Sequence, residues 1–197
     1  MRAVVVGLLL TLSACATRGV QELPVLEDWP TRVRIMSALD VWSMRGRIGV
    51  RTPDEASSGN LSWVQSRNRF EADIDGPLGI GGVRFRGNAD AVTLSGSRIE
   101  TRTVRNPGIE LYRQTGIRVP VDGLRYWMLG VPMPGTPANV TLGDNDLPSG
   151  IDQAGWKITF KEYRRWSVNE LPRRIIAEYG DTRLTIVIRD WDIREQA

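Results

Sequence analysis

The chain has 197 residues, 41% apolar and 25% charged, with 26 Lys and Arg against 23 Asp and Glu, one Cys and no His. Without His there is no Ser-His-Asp or Cys-His machinery and no imidazole-ligated metal, and one Cys allows neither an internal disulfide nor a thiolate zinc cluster. A formal charge of +3, scattered rather than striped, is no footprint for nucleic acid.

Met1-Arg2 precedes an apolar run from Ala3 to Leu12, followed by Ser13-Ala14-Cys15. A basic start, about ten apolar residues and small residues before a cut site describe a secretory signal. The run is too short for a bilayer core of about 30 Å, which needs about 20 residues. No other stretch is long and uncharged enough to span one. Leu12-Ser13-Ala14-Cys15 resembles the bacterial lipobox. The resemblance implies that residues 1–14 are removed and Cys15 is lipidated; the alternative is a plain signal peptide whose Cys merely falls there. Two or three acyl chains, at ~0.8 kcal/mol per buried CH2, anchor almost irreversibly, whereas one binds only marginally. Ala16 in place of Asp implies, by the sorting rule for such lipoproteins, an outer-membrane destination facing the periplasm. Residues 15–27 are expected as a lipidated tether, with Pro24 discouraging helix, and residues 28–197 as a single domain.

Asp28-Trp29-Pro30-Thr31 predicts a short helix, with Asp28 or Thr31 as its cap and Pro30 in its first turn. Val33, Met36 and Trp29 share one face, and the run ends near Asp40. From Ser43 the period becomes two. Met44, Ile48 and Val50 alternate with Arg45, Arg47 and Arg51; Leu61 and Trp63 with Ser62 and Val64; Phe70, Ala72 and Ile74 with Glu71, Asp73 and Asp75. Val83 and Phe85, then Val92 and Leu94, continue the pattern. Turn formers at Pro53-Asp54, Arg67-Asn68, Gly76-Pro77 and Gly87-Asn88 make these half-buried antiparallel strands at hairpin spacing.

Pro107 to Gln114, closed by Gly116, reads as a second short helix. Pro120 to Gly130 reads as a third, with Leu124, Trp127 and Met128 on one apolar stripe. A Pro/Gly-rich linker spans Val131 to Pro137. Period two returns at Trp156 to Phe160, Ile175 to Tyr179 and Leu184 to Ile188. About ten strands in one sheet with three inserted helices make a curved, partly closed barrel with helices over its mouth.

Gly76-Pro77-Leu78-Gly79-Ile80-Gly81-Gly82 invites a phosphate-loop reading, but it lacks the Gly-Lys-Ser/Thr ending and no helix follows, so it is a hairpin loop. Leu78, at its tip between Pro77 and Gly79, has no strand face of its own. It either folds back onto the core or projects. Nothing singles out a catalytic pair among the acids. The seven Trp fit either core packing or a pocket for an aliphatic ligand.

An ordered set of segments resembles the LolB family of outer-membrane lipoprotein receptors. It comprises the lipobox at Cys15, Arg45 to Val50, Leu61-Ser62-Trp63-Val64-Gln65, Gly76-Pro77-Leu78-Gly79, Gly116 to Val121, Leu124 to Gly130, Gly155-Trp156-Lys157-Ile158, Leu171-Pro172 and a last strand ending in Trp191. The resemblance implies an incomplete antiparallel β-barrel of about eleven strands, capped by about three short helices and enclosing an apolar cavity. It implies acceptance of acylated lipoproteins from the periplasmic carrier LolA and their insertion into the outer membrane, without catalysis, metal or cofactor, by a monomer. Leu78, with Pro77 and Gly79, falls on the family's membrane-insertion loop, although Gly81 and Gly82 make the region richer in Gly than usual. Residues expected to line the acyl-chain cavity are Trp63, Phe70, Phe85, Leu124, Trp127, Met128, Trp156 and Ile186. Arg165 to Glu170 matches nothing in the family pattern. The expected partners are LolA, acylated lipoprotein cargo and outer-membrane phospholipid through the N-terminal anchor, and no nucleic acid.

Two other classes compete. A structural lipoprotein subunit of an outer-membrane assembly complex needs a filled interior rather than an apolar void. A lipoprotein hydrolase would have to work without His.

Overall fold

The computed structural model of the chain describes residues 23–76, 82–96, 99–105, 107–115, 118–143 and 145–193. Cys15, Pro77, Leu78, Gly79 and Gly116 lie outside the described residues. Helix α1 (Trp29–Ala38) leads into β1 (Val41–Arg51), β2 (Ala56–Ser66), β3 (Arg69–Asp75), β4 (Val83–Gly87), β5 (Ala91–Gly96) and β6 (Ile99–Arg105). Then come α2 (Pro107–Thr115), α3 (Val121–Met128), β7 (Ala138–Leu142), β8 (Pro148–Gln153), β9 (Trp156–Trp166), β10 (Asn169–Tyr179) and β11 (Thr182–Ile193).

All eleven strands join one antiparallel sheet in the order β6-β5-β4-β3-β2-β1-β11-β10-β9-β8-β7. The first and last strands pair in its centre, and the sheet stays open between its edges, β6 and β7. The β1–β11 ladder bulges at Arg45/Gly46. There a Cβ on Gly46 would stand 2.3 Å from the carbonyl oxygen of Val187, so only glycine lets the strands approach.

The alternation read from the sequence carries the core. Trp42, Met44 and Ile48 of β1, Leu61 and Trp63 of β2 and Ala72 of β3 are buried on one face, while Arg45, Arg47 and Arg51 are exposed. Val50 is half-buried. Strands β9, β10 and β11 add Ile158, Phe160, Ile175, Ala177, Leu184, Ile186 and Ile188 to the same cluster. The outer face carries an ion-pair ladder, Arg86–Glu71 at 2.7 Å beside Arg84–Asp73, which at this exposure adds little stability.

Asp28 caps α1, its Oδ1 accepting from Thr31 N at 2.7 Å. That bond holds the Asp28 carboxyl below its usual range. The buried face of α1 holds Met36 as expected but also Arg32, which donates to the Glu170 carbonyl at 3.0 Å. Burial lowers the affinity of that guanidinium for its proton.

Three features differ from the sequence reading. Strands β6, β7 and β8 are present where no alternation was read. Residues 131–137 are no free linker: Val131 is fully buried and Met133 is bonded into the sheet. The expected tether enters the fold before Asp28, since Leu23 and Leu26 pack on the core, and Asn169 accepts from Leu26 N at 2.8 Å and donates to Pro24 O at 2.9 Å. Arg165 to Glu170, unplaced by sequence, is the β9–β10 hairpin, with Ser167 at φ 54° in its two-residue turn.

Candidate functional site

The inner face of the sheet is covered by α3 and the segment that follows it, not by a second sheet. Leu124, Trp127, Met128, Leu129 and Val131 belong to the same buried cluster as the inward side chains of the strands. Within α3, Gly123 leaves room for the Trp127 ring, which a Cβ there would meet at 2.5 Å.

Aromatic rings run along the inner face in two groups. Trp63 stacks on Phe70 at 4.6 Å and on Trp42 at 6.2 Å, and Trp42 meets Trp191 at 5.4 Å. On the other side Trp127 packs on Trp156 at 6.1 Å, and Trp156 on Tyr179 at 5.4 Å. Face and offset contacts of this kind add roughly 0.5–1.5 kcal/mol each beyond area burial.

The eight residues expected to line a cavity divide accordingly. Trp63 and Phe70 line a pocket of about 270 Å³ that also touches Asp90 of the β4–β5 turn, Val121, Asp122 and Arg125 of α3, and Met133. Leu124, Trp127, Met128, Trp156 and Ile186 are buried in the packed core, and Phe85 is half-buried against it. The structure therefore gathers the eight on one face but brings only Trp63 and Phe70 to this pocket's wall.

Polar residues outside the expected site tie the aromatic face together, Gln153 through the cover and Gln65 within the β2–β3 hairpin. Gln153 of β8 accepts from Trp127 Nε1 at 2.9 Å and from Met133 N at 2.8 Å, and donates to the carbonyls of Met133 and Thr136, both at 2.9 Å. Gln65 of β2 accepts from Trp63 Nε1 at 3.2 Å and donates to Arg67 O at 2.8 Å and Arg69 O at 3.0 Å. Arg125 reaches the Leu39 carbonyl at 3.4 Å. A signal for both glutamines was in the pattern, since each continues an inward register: Leu61, Trp63, Gln65 and Ile151, Gln153. A polar residue in a core register needs specific partners.

Asp122 at the pocket mouth has its carboxyl pKa raised, first by burial and then by repulsion from Asp90. The pocket thus mixes apolar side chains (Trp63, Phe70, Val121, Met133) with polar and charged ones (Gln65, Asn68, Asn88, Asp90, Asp122, Arg125), a lining that offers contacts to both an aliphatic and a polar group. Among the described residues no helix is long and apolar enough to cross a membrane.

An open antiparallel sheet of eleven strands with short helices on one aromatic face is a LolA-like fold. A LolA superfamily protein of Nitrosomonas europaea superposes with a TM-score of 0.55 at 9% identity, covering 86% of this chain and 95% of that one. A putative outer membrane lipoprotein-sorting protein domain of Vibrio parahaemolyticus gives 0.53 at 11%, covering 82% and 90%. Residues 40–191 match the family model described as "Outer membrane lipoprotein LolB". Proteins named outer-membrane lipoprotein LolB are 32% identical over 190 residues in Pseudomonas paraeruginosa (93% of this chain, 92% of that one) and 31% over 196 in Pseudomonas syringae (98% and 96%). The chain belongs to the LolB family of outer-membrane lipoproteins, a lipoprotein-localisation family and not an enzyme family.

Proposed function

We propose that this protein accepts acylated lipoproteins from the periplasmic carrier LolA against the inner face of its sheet and releases them into the outer membrane. The observation that carries the reading is the nature of the cover. The aromatic face is covered by short helices and a loop rather than by a second sheet, and the hydrogen bonds from Trp127, Met133 and Thr136 converge on the single side chain Gln153. A sheet-on-sheet core could not open without loss of the fold; a cover attached in this way can be displaced while the eleven-strand ladder stays intact. Acyl chains then take the place of Leu124, Trp127 and Met128 against Trp63, Phe70, Phe85, Trp156 and Ile186.

The energetics require such a shelter. Exposing two or three acyl chains to water costs tens of kcal/mol at ~0.8 kcal/mol per CH2. The sequence carries no nucleotide-binding motif, so each hand-over runs toward tighter binding, from carrier to receptor to bilayer. Lipidated Cys15 keeps the receptor at the target membrane and raises its effective concentration there. Leu78, on the Gly76-Pro77-Leu78-Gly79 loop, enters the interface and couples release to bilayer contact.

The test is reconstituted transfer of one labelled lipoprotein from LolA to this protein and on to outer-membrane vesicles. Leu78→Glu is expected to leave uptake from LolA intact and to lower insertion severely. Loss of uptake together with a large fall in Tm would place Leu78 in the core and contradict its role in insertion.

A further inference from the structure

A second apolar recess lies outside the sheet. It runs between α1 and the segment leading into edge strand β7, with a volume of about 480 Å³, and its walls include Trp29, Val33 and Ser37 of α1, Pro132, Met133 and Val140. It opens to solvent along α1, so a molecule with a bulky polar end can enter without threading that end through protein. Met133 also lines the mouth pocket beside Trp63 and Phe70. Met133 is thus common to the linings of both recesses.

The way Met133 is held makes it a shutter. Gln153 bonds both its N–H and its carbonyl, at 2.8 and 2.9 Å, so while the cover is closed its backbone is held. The thioether is unbranched, has three rotatable bonds and has no polar partner to lose, so the side chain can swing while its Cα stays in place. The groove is within the size of ligand pockets, roughly 300–1,000 Å³.

We infer that the α1 groove is an entry site for one acyl chain of a lipidated polypeptide, and that rotation of Met133 joins it to the Trp63–Phe70 pocket so that the chain slides from the surface onto the inner face. This rests on the proposed acceptance of acyl chains and adds the route. The open side of the groove leaves the attached polypeptide in water, which a fully enclosed cavity would not.

The experiment uses the unacylated chain and a synthetic Cys-Ser peptide carrying a sixteen-carbon acyl chain with a photoactivatable diazirine at its end. Crosslinks are expected both on residues 29–37 or 132–140 and on the Trp63–Phe70 side. Val33→Trp, which plugs the groove, is expected to weaken peptide binding at least tenfold with Tm unchanged; Ser37→Phe plugs the other end should the first variant lose stability. In Met133→Trp the crosslinks on α1 persist and those on Trp63 and Phe70 disappear. Binding that is unaffected by both groove variants, with crosslinks confined to the strands, overturns the entry route but leaves acceptance of acyl chains standing. No binding of the peptide to the unaltered chain overturns both.

Discussion

Gln153 grips the Met133 peptide unit from both sides, accepting from its N–H at 2.8 Å and donating to its carbonyl at 2.9 Å. The same amide takes the Trp127 indole N–H and the Thr136 carbonyl. Replacing Gln153 by Leu leaves several buried polar groups without partners, at a cost of roughly 3 kcal/mol. The predicted outcome is a lower urea midpoint together with faster exchange of the amides of residues 131–137. An unchanged midpoint would mean that the cover is held by packing alone.

Trp63 lies between Trp42 and Phe70 and is 3% exposed. Trp63→Ala is expected to cost roughly 3–5 kcal/mol, the usual range for emptying a packed aromatic site. Phe70→Ala, at a half-buried position lining the pocket, should cost less in stability while weakening acyl-chain binding. Paired denaturation and binding titrations separate the two effects.

The raised pKa of Asp122 predicts the sign of a pH effect. Burial and Asp90 favour the protonated carboxyl in the folded state above the ordinary value of 3.8. The folded state then binds the proton more tightly than the unfolded chain, and stability falls as pH rises through the carboxylate range. Asp122→Asn should therefore be more stable than the unaltered protein at pH 7, with the gap closing at pH values below 3.8. Melting curves across that range measure it, and a gap that widens in acid would contradict the assignment.

Asn169 fixes the stretch before α1 against the fold, and with it the point from which the proposed tether departs. It pins Pro24 and Leu26 beside the start of β10, whereas the end of β3 and the start of β4, between which Leu78 falls in sequence, lie at the opposite rim of the sheet. An 11-residue strand such as β1 extends roughly 36 Å at ~3.3 Å per residue. The eight steps from Leu23 back to Cys15 reach at most about 28 Å. That reach is shorter than such a strand, so both contacts with one bilayer require the strands to lie tilted towards it. Deleting residues 17–21 is predicted to impair insertion into vesicles while uptake from LolA persists. Asn169→Ala, which lengthens the free tether, should increase cleavage by protease near Leu26 and restore part of the lost insertion.

Strands were legible wherever one face is apolar. Met44, Ile48, Leu61, Trp63, Val92 and Leu94 alternate because a single core lies on one side of the sheet. The missed strands lack that asymmetry. Ile99–Arg105 is an edge strand of Thr and Arg, and Ala138–Leu142 at the other edge is exposed or half-buried at every position. Pro148–Gln153 hides its register behind Pro, Ser and Gly, with Ile151 as its only large apolar residue. The β9–β10 hairpin was opaque because its ends break the alternation: Arg164-Arg165 precede Trp166, and a polar residue, Asn169, takes an inward position beside Leu171 and Pro172. For the site, composition and period pointed to the aromatic face but not to its closure. Which rings α3 covers depends on Gln153 and Gly123, contacts that join residues 20–30 positions apart or turn on the absence of a Cβ.

The central claim is that this aromatic face gives shelter to fatty acyl chains. Equilibrium titration of the unacylated protein with a triacylated lipopeptide, followed by displacement of a bound apolar fluorophore and by Trp fluorescence, tests it most directly. Saturable displacement with a change in Trp emission, weakened in Trp63→Ala, is the predicted result. A fluorophore that never binds, with Trp emission indifferent to lipopeptide, would mean that the interior stays shut and that the protein handles lipoproteins by some other surface.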